Sequence, residues 1–298
     1  MRQLFLFGKP DPRCPRLYSN VITVSQNRKG VLDVDTVKGC TMGMAAYPKG
    51  GCYGECYAYK NARTYGFDFT VSVSRQFMGR EHKGTLIKSM NTCAVGWYRI
   101  GTAGDPCHDW KHTVAISWAL WHTHKVPVIV TKHWEILEDG QMDKLRHLRA
   151  VVNTSVSGMD TDVELQHRLG QRERIRSEGI KSILRVVTCH YGTSEWARTC
   201  KEKQDYLLSL SPIIDNPLRA RKSNPRVVGG GIVLARRTEA VGGGKMVSLN
   251  NPHAYLGTCL DCPDQCGVDP STILNAKGAY ENEREKEDGA SNPLFGEG

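Results

Sequence analysis

From Val31 to Asp215 the chain repeats one unit: a short β-branched run, a polar or glycine-rich turn, then an amphipathic helix. Strands joined in this way run parallel, cross over right-handed and bury both faces, which restricts the chain to an α/β fold, either a doubly wound sheet or a barrel. Val31–Val37 (VLDVDTV), Val95–Ile100 (VGWYRI), Val126–Val130 (VPVIV), Val151-Val152, Ile183–Val187 (ILRVV) and Pro212–Asp215 read as six strands. Asp109 is a cap for a helix that buries Val114, Trp118 and Trp121 at helical spacing. A second helix carries Leu137, Met142, Leu145 and Leu148, and a third is capped by Asp160 or Thr161 and ends at Gly179. The length, 298 residues, suits one large domain with a small appendage.

In parallel α/β folds the site lies at the carboxyl ends of the strands. Those ends are polar here: Cys40, the turn Gly101-Thr102-Ala103-Gly104-Asp105, Thr131-Lys132-His133, Asn153 to Ser157, and Thr188-Cys189-His190 with Arg185 just before. Their joint placement predicts one binding cavity. Glycines at 229–231 and 242–244 read as loops and not as a phosphate cradle, because no helix pattern follows them.

Eleven cysteines in a chain with no secretory leader and no run of about 18 apolar residues argue against a disulfide framework and against a membrane span. The expectation is a soluble cytoplasmic protein whose thiols serve metal or redox chemistry. Cys40, Cys52 and Cys56 lie on one glycine-rich segment after the first strand, spaced C-x11-C-x3-C. Thiolates select zinc or iron–sulfur clusters; three of them suit a [4Fe–4S] cluster with one open iron, whereas structural zinc normally wants four protein ligands. Inert thiols are the remaining alternative.

The segments Gly39-Cys40-Thr41 and Gly51-Cys52 through Cys56-Tyr57-Ala58 resemble the Gly-Cys-Thr … Gly-Cys-x3-Cys-Tyr-Ala signature of phage-encoded radical-S-adenosylmethionine (radical SAM)-like proteins. The strand-end motifs Gly101–Asp105, Thr131-Lys132 and Asn153–Ser157 are similar, more distantly, to spore photoproduct lyase. The superfamily's usual C-x3-C-x2-C is absent: Tyr59, not cysteine, stands three residues beyond Cys56. The resemblance spans roughly residues 30 to 220. Residues 226–278 read as a Cys-rich extension and 279–298 as an acidic, disordered tail; the resemblance implies a partial (β/α)6-type TIM barrel over residues 1–225. It implies further that Cys40, Cys52 and Cys56 hold a [4Fe–4S] cluster and that S-adenosylmethionine chelates the open iron. Gly101, Thr102, Ala103, Gly104 and Asp105 would meet its methionine amino group, Ser155 and Ser157 its ribose or carboxylate, and Arg185 its carboxylate. A flavodoxin- or ferredoxin-like electron donor is implied as well, and the host cytoplasm as location if the chain is phage-encoded.

Cys259, Cys262 and Cys266 form C-x2-C-x3-C in a second loop, a metal-ligand pattern that fits an auxiliary iron–sulfur cluster or a zinc knuckle, with His253, Cys14 or an exogenous group as fourth ligand. Cys93 and Cys200 read as core residues. Cys107 and Cys189, near strand ends, are candidates for a catalytic hydrogen-atom donor, as lyase-type relatives suggest. Residues 279–298 hold six acids and two bases, so the other 278 residues carry 38 bases against 25 acids, a field that attracts a polyanion. The substrate expected is a nucleic acid or modified nucleobase, met by Arg168, Arg172, Arg174 and Arg176 on one helix and by Arg219-Ala220-Arg221-Lys222. The competing expectation is a non-catalytic, zinc-stabilised nucleic-acid-binding protein.

Overall fold

A computed structural model describes residues 15–241, 243–274, 277 and 281; Cys14 and, Glu281 apart, the acidic tail lie outside them. The strands of the main sheet are β1 (Val24–Gln26), β2 (Leu32–Val34), β3 (Trp97–Ile100), β4 (Val126–Thr131), β5 (Val151–Val156), β6 (Lys181–Thr188), β7 (Ile213–Arg219), β8 (Ala235–Arg237) and β9 (Lys245–Ser248). The helices are α1 (Thr41–Ala46), α2 (Tyr57–Tyr65), α3 (Arg80–Asn91), α4 (Trp110–Ala119), α5 (Asp139–His147), α6 (Asp162–Ser177) and α7 (Glu195–Ser209), with one further turn of helix at Pro225–Val228.

The sheet order is β1-β2-β3-β4-β5-β6-β7-β9-β8. From β2 to β7 every pairing is parallel, while β1, β9 and β8 join antiparallel. The six parallel strands follow chain order with no reversal, so the doubly wound alternative, which needs a switch point, is excluded. Among the described residues β1 and β8 are edges, and the sheet is open. Crossovers of one hand stepping one way put the helices on one face. Leu32, Tyr98, Ile100, Ile129 and Val152 accordingly pack against Trp110 and Val114 of α4, Met142 and Leu145 of α5 and Ile175 of α6. Period-two alternation sends Trp97, Val126, Val128, Val151, Ile183 and Ile214 to the opposite, inner face.

The caps form as the sequence predicts. Asp109 accepts from the His112 amide, Thr161 and Glu164 make a reciprocal capping box, and Gly179 follows α6 at φ 76°. Three expectations are corrected. The first strand ends at Val34, because the Asp35 carboxylate turns out of the ladder to accept from the Thr102 amide and hydroxyl (2.8 and 2.7 Å). Trp118 is 37% exposed and stacks on Trp121, while α4 buries Trp110, Thr113, Val114, Ile116 and Ser117, its hydroxyls satisfied by backbone carbonyls. Residues 226–278 are no separate appendage, since β8 and β9 extend the main sheet and Cys266 and Val268 complete the inner-face core.

Asn153, deep in β5, donates to the Cys266 carbonyl at 3.0 Å and so ties the C-terminal loop to the inner face. Removing residues 257–298 is expected to uncover Trp97, Val126, Val151 and Ile183 and to yield an aggregating, dye-binding species. A soluble truncated chain with the parent melting temperature would show that the loop is dispensable to the fold.

Candidate functional site at the carboxyl ends of the strands

The loop bearing the first three thiols is shaped by glycine. Gly51 (φ 66°) would place a Cβ 2.5 Å from the Cys56 Cβ, and a Cβ on Gly50 (φ 83°) would meet the Gly54 carbonyl at 2.7 Å, so neither position accepts a side chain. Cys40 caps α1, its sulfur accepting from the Gly43 amide at 3.2 Å. Just before it, Gly39 donates to the Ala103 carbonyl at 3.0 Å and bridges to Gly104. A Cβ on Gly104 would lie 2.5 Å from the Val37 carbonyl oxygen. The turn Gly101–Asp105 is thereby zipped to the segment that carries Cys40, and Tyr57, the residue after Cys56, donates its hydroxyl to the Thr102 carbonyl.

Cys40, Cys52 and Cys56 are half-buried and stand near enough that the charges of Cys52 and Cys56 act on Cys40. Burial pushes all three thiols up: Cys40 well above its usual value, Cys52 to about 11 against the pull of Lys132, and Cys56 against amide bonds from Tyr59 and Ala58. Among the described residues no three Cys, His, Asp or Glu side chains converge tightly enough to hold a single metal ion. One zinc would draw its thiolates to within about 4 Å of one another; a cubane gives each thiolate its own iron and sets them farther apart. Beside Cys40 the space is kept by Gly43, whose Cβ would approach the Cys40 sulfur to 2.7 Å and His133 Nε2 to 3.3 Å. The Cys52 sulfur is 3.9 Å from the same nitrogen. His133, placed by the sequence at a polar strand end but given no ligand role there, thus stands beside two of the three thiols.

Two buried carboxylates hold these strand ends. Asp105 accepts from the Thr131 hydroxyl (2.6 Å), the amides of Lys132 and His133 (both 2.9 Å) and the Cys107 amide (3.2 Å). Those four bonds fill its acceptor positions, so Asp105 is a staple between two strand ends and has no lone pair for a methionine amino group. Asp160 accepts from Ser157 N (2.8 Å), Tyr53 Oη (2.8 Å) and Lys132 Nζ (2.9 Å) and forms an ion pair with Arg168 Nη1 (2.6 Å). Burial would raise its pKa, but Lys132 and Arg168 hold it down to about 2.

The remaining expected residues separate. Ser155 sits on β5 opposite Arg185 of β6, whereas Ser157 is fully buried and spends its hydroxyl on the Val187 carbonyl at 2.9 Å. Arg185 points to the C-terminal loop, its Nη1 3.5 Å from the Cys266 sulfur. Cys107 packs in the core on the helix side, with Trp110 and Val114, where a donor to a substrate on the inner face cannot stand. Cys189 is also buried, and it lines a 220 Å³ cleft with His190, Tyr191 and Lys201, away from both cysteine loops. The larger cleft, 470 Å³ between Gly158–Thr161 and Trp196–Lys203, contains none of the six thiols in the two cysteine loops. Cys259, Cys262 and Cys266 share one loop, with Cys259 and Cys262 half-buried and Cys266 buried.

The basic helix does not form the expected patch. Arg168 and Arg172 are buried, the first on Asp160 and Glu164, the second on Glu173 and the Ser211 carbonyl, and Arg174 and Arg176 pair Asp139 and Glu173. Comparison of the chain with protein-family models, with curated proteins and with solved structures found no match.

Asp160→Ala leaves Lys132 and Arg168 buried without their counter-charge and is expected to cost about 3–5 kcal/mol in a denaturant melt. A loss under about 1 kcal/mol would remove the network from its central place. Because the thiols of Cys40, Cys52 and Cys56 are raised, each stays protonated near neutrality and loses its proton on binding metal. The yield of cluster on anaerobic reconstitution with iron and sulfide, followed by its thiolate-to-iron charge-transfer band, should thus fall on acidification. A flat profile would mean that the thiols do not ligate.

Proposed function

We propose that the protein is a radical S-adenosylmethionine enzyme in which Cys40, Cys52 and Cys56 hold a [4Fe–4S] cluster. The observation that carries this reading is the zipping of the Cys40 segment to the Gly101–Gly104 turn, which sets three glycine-wrapped thiols at the carboxyl ends of parallel strands. The open sheet is, on this reading, a partial (β/α)6 barrel, consistent with its six parallel strands in chain order and its helices on one face. The donor set suits the group in kind: three soft thiols on one glycine-wrapped segment, with Gly43 set against Cys40 and His133 where a Cβ would crowd both.

A cluster held by Cys40, Cys52 and Cys56 would supply one-electron chemistry for reductive cleavage of S-adenosylmethionine and hydrogen abstraction from the substrate. This chain's own residues do the positioning. Asp35 locks the amides of Thr102 and Ala103, so the turn presents its carbonyl oxygens, each with a lone pair to spare, to the methionine amino group. Ser155 serves the ribose or carboxylate; Asp105 and Ser157 act only by holding the strand ends. Lys132 places a cation beside Cys52 and favours the thiolate state that ligation requires. Cys259, Cys262 and Cys266 form a second centre, an auxiliary cluster or zinc. The substrate is a nucleic acid or modified nucleobase, and a flavodoxin- or ferredoxin-like protein delivers the electron.

Protein purified without oxygen should be brown and contain iron and sulfide. Single alanine variants of Cys40, Cys52 and Cys56 should lose at least about a hundredfold in 5′-deoxyadenosine formation together with the visible band. Colourless protein that carries zinc at both loops would replace this reading with that of a non-catalytic nucleic-acid-binding protein.

A further inference from the structure

The basic excess of the sequence reappears on the inner face of the sheet. Arg99 follows Trp97 by two residues and Arg185 follows Ile183 by two, so both share the face of the inner core. Arg219 ends β7 beside Arg185 and Cys259, and Lys29 lies in the turn between β1 and β2, its carbonyl accepting from the Cys259 amide at 3.0 Å. Arg99 is also near Tyr57, and so reaches from the C-terminal cysteine loop toward the first.

Among the described residues one carboxylate answers these four cations: Asp33, 3.0 Å from Arg99. The acids of the adjacent loop face elsewhere, Asp261 accepting from Thr258 and Asp269 pairing Lys181. Among the described residues, Lys29 and Arg219 have no carboxylate within 4.0 Å. Partly dehydrated like charges repel, and a bound anion relieves that repulsion.

We propose that the inner face, between the two cysteine loops, binds a phosphate ester through Lys29, Arg99, Arg185 and Arg219. Guanidinium forks match phosphate oxygens two at a time, and a doubly charged ester suits a site with a surplus of cations better than a single carboxylate does. The doubly charged ester is the terminal phosphate of a mononucleotide; a polynucleotide backbone would match the same cations only with two neighbouring singly charged diesters. As the anchor of the substrate this site rests on the enzymatic reading above; as a binding site it is independent of it, since binding needs neither metal nor S-adenosylmethionine.

The test is calorimetric titration of the full chain, as purified, with inorganic phosphate, a nucleoside 5′-monophosphate, the matching nucleoside and a short oligonucleotide lacking terminal phosphates. The monophosphate should bind and inorganic phosphate should compete with it, while the nucleoside should not bind. Competition by the oligonucleotide as well would identify the backbone as the source; its failure to compete would identify the mononucleotide. Arg219→Gln and Lys29→Gln, both at partly or fully exposed positions, should fold normally by circular dichroism and weaken the monophosphate about tenfold or more, against no change for Arg176→Gln. Absence of phosphate-dependent binding to the parent chain would overturn the proposal, as would parent-like affinity in both variants. A fall in metal content of Arg219→Gln without phosphate binding to the parent would assign these cations to the thiolate loop instead. Cluster content and S-adenosylmethionine cleavage, measured separately, report on the enzymatic reading whichever way the titrations fall.

Discussion

Asp160 carries a negative charge where water does not reach, and four segments far apart in sequence meet to satisfy it. Lys132 comes from the end of β4, the Ser157 amide from the end of β5, Arg168 from the second turn of α6 and Tyr53 from the first cysteine loop. A buried pair of this kind adds little net stability over an apolar equivalent, but it is intolerant of losing one partner. Its consequence is positional. Tyr53 lies next to Cys52, so the place of that thiol over the sheet depends on a carboxylate that comes 107 residues later. Glu55 repeats the device on the other side of Cys52, its buried carboxylate accepting from the Arg221 amide and Asn224 Nδ2 at 3.1 and 3.2 Å and pairing Lys60.

The parallel strands were legible because a fully buried strand must be written in β-branched residues and the helices between them in 3.6-residue spacing. VPVIV and ILRVV leave no other choice, and Asp109, Thr161 and Gly179 mark helix ends by local chemistry alone. The antiparallel strands Ala235–Arg237 and Lys245–Ser248 escaped notice because the first is an exposed edge and the second, though paired on both sides, is four residues long and buries only Val247 and Ser248. The packing of Cys266 under Val151 and Ile183 escaped for a different reason: a Cys-Pro-Asp loop has no periodicity to show which face it covers.

At the site the cysteines and the glycine turn were legible as composition, but the division of labour among the polar residues was not. Asp105 and Ser157 look like ligands in sequence, since a carboxylate and a hydroxyl at strand ends are what a cofactor needs. In three dimensions the strand ends themselves claim those groups first, because several backbone amides would otherwise be buried without acceptors. His133 went the other way, ordinary in sequence and adjacent to two thiols in space.

The arginines show why charge counts mislead. A helix with Arg168, Arg172, Arg174 and Arg176 looks like a polyanion-binding surface, yet its buried members neutralise Asp160 and cap the Ser211 carbonyl, and its exposed members meet neighbouring acids. What decides whether a cation is available to a partner is not its exposure but whether the fold has already supplied its counter-charge. By that criterion the surplus sits with Lys29, Arg185 and Arg219, which lie on separate segments and form no cluster in the sequence. Two thiol-bearing loops converge on the same face, and the loop nearer these cations becomes anionic once its cysteines ligate a metal. Three thiolates on a dication leave one negative charge, which by itself cannot balance the surplus. Among the described residues the inner face would therefore keep a surplus of positive charge whether or not the second centre were filled, and this is why the proposed ligand is an anion.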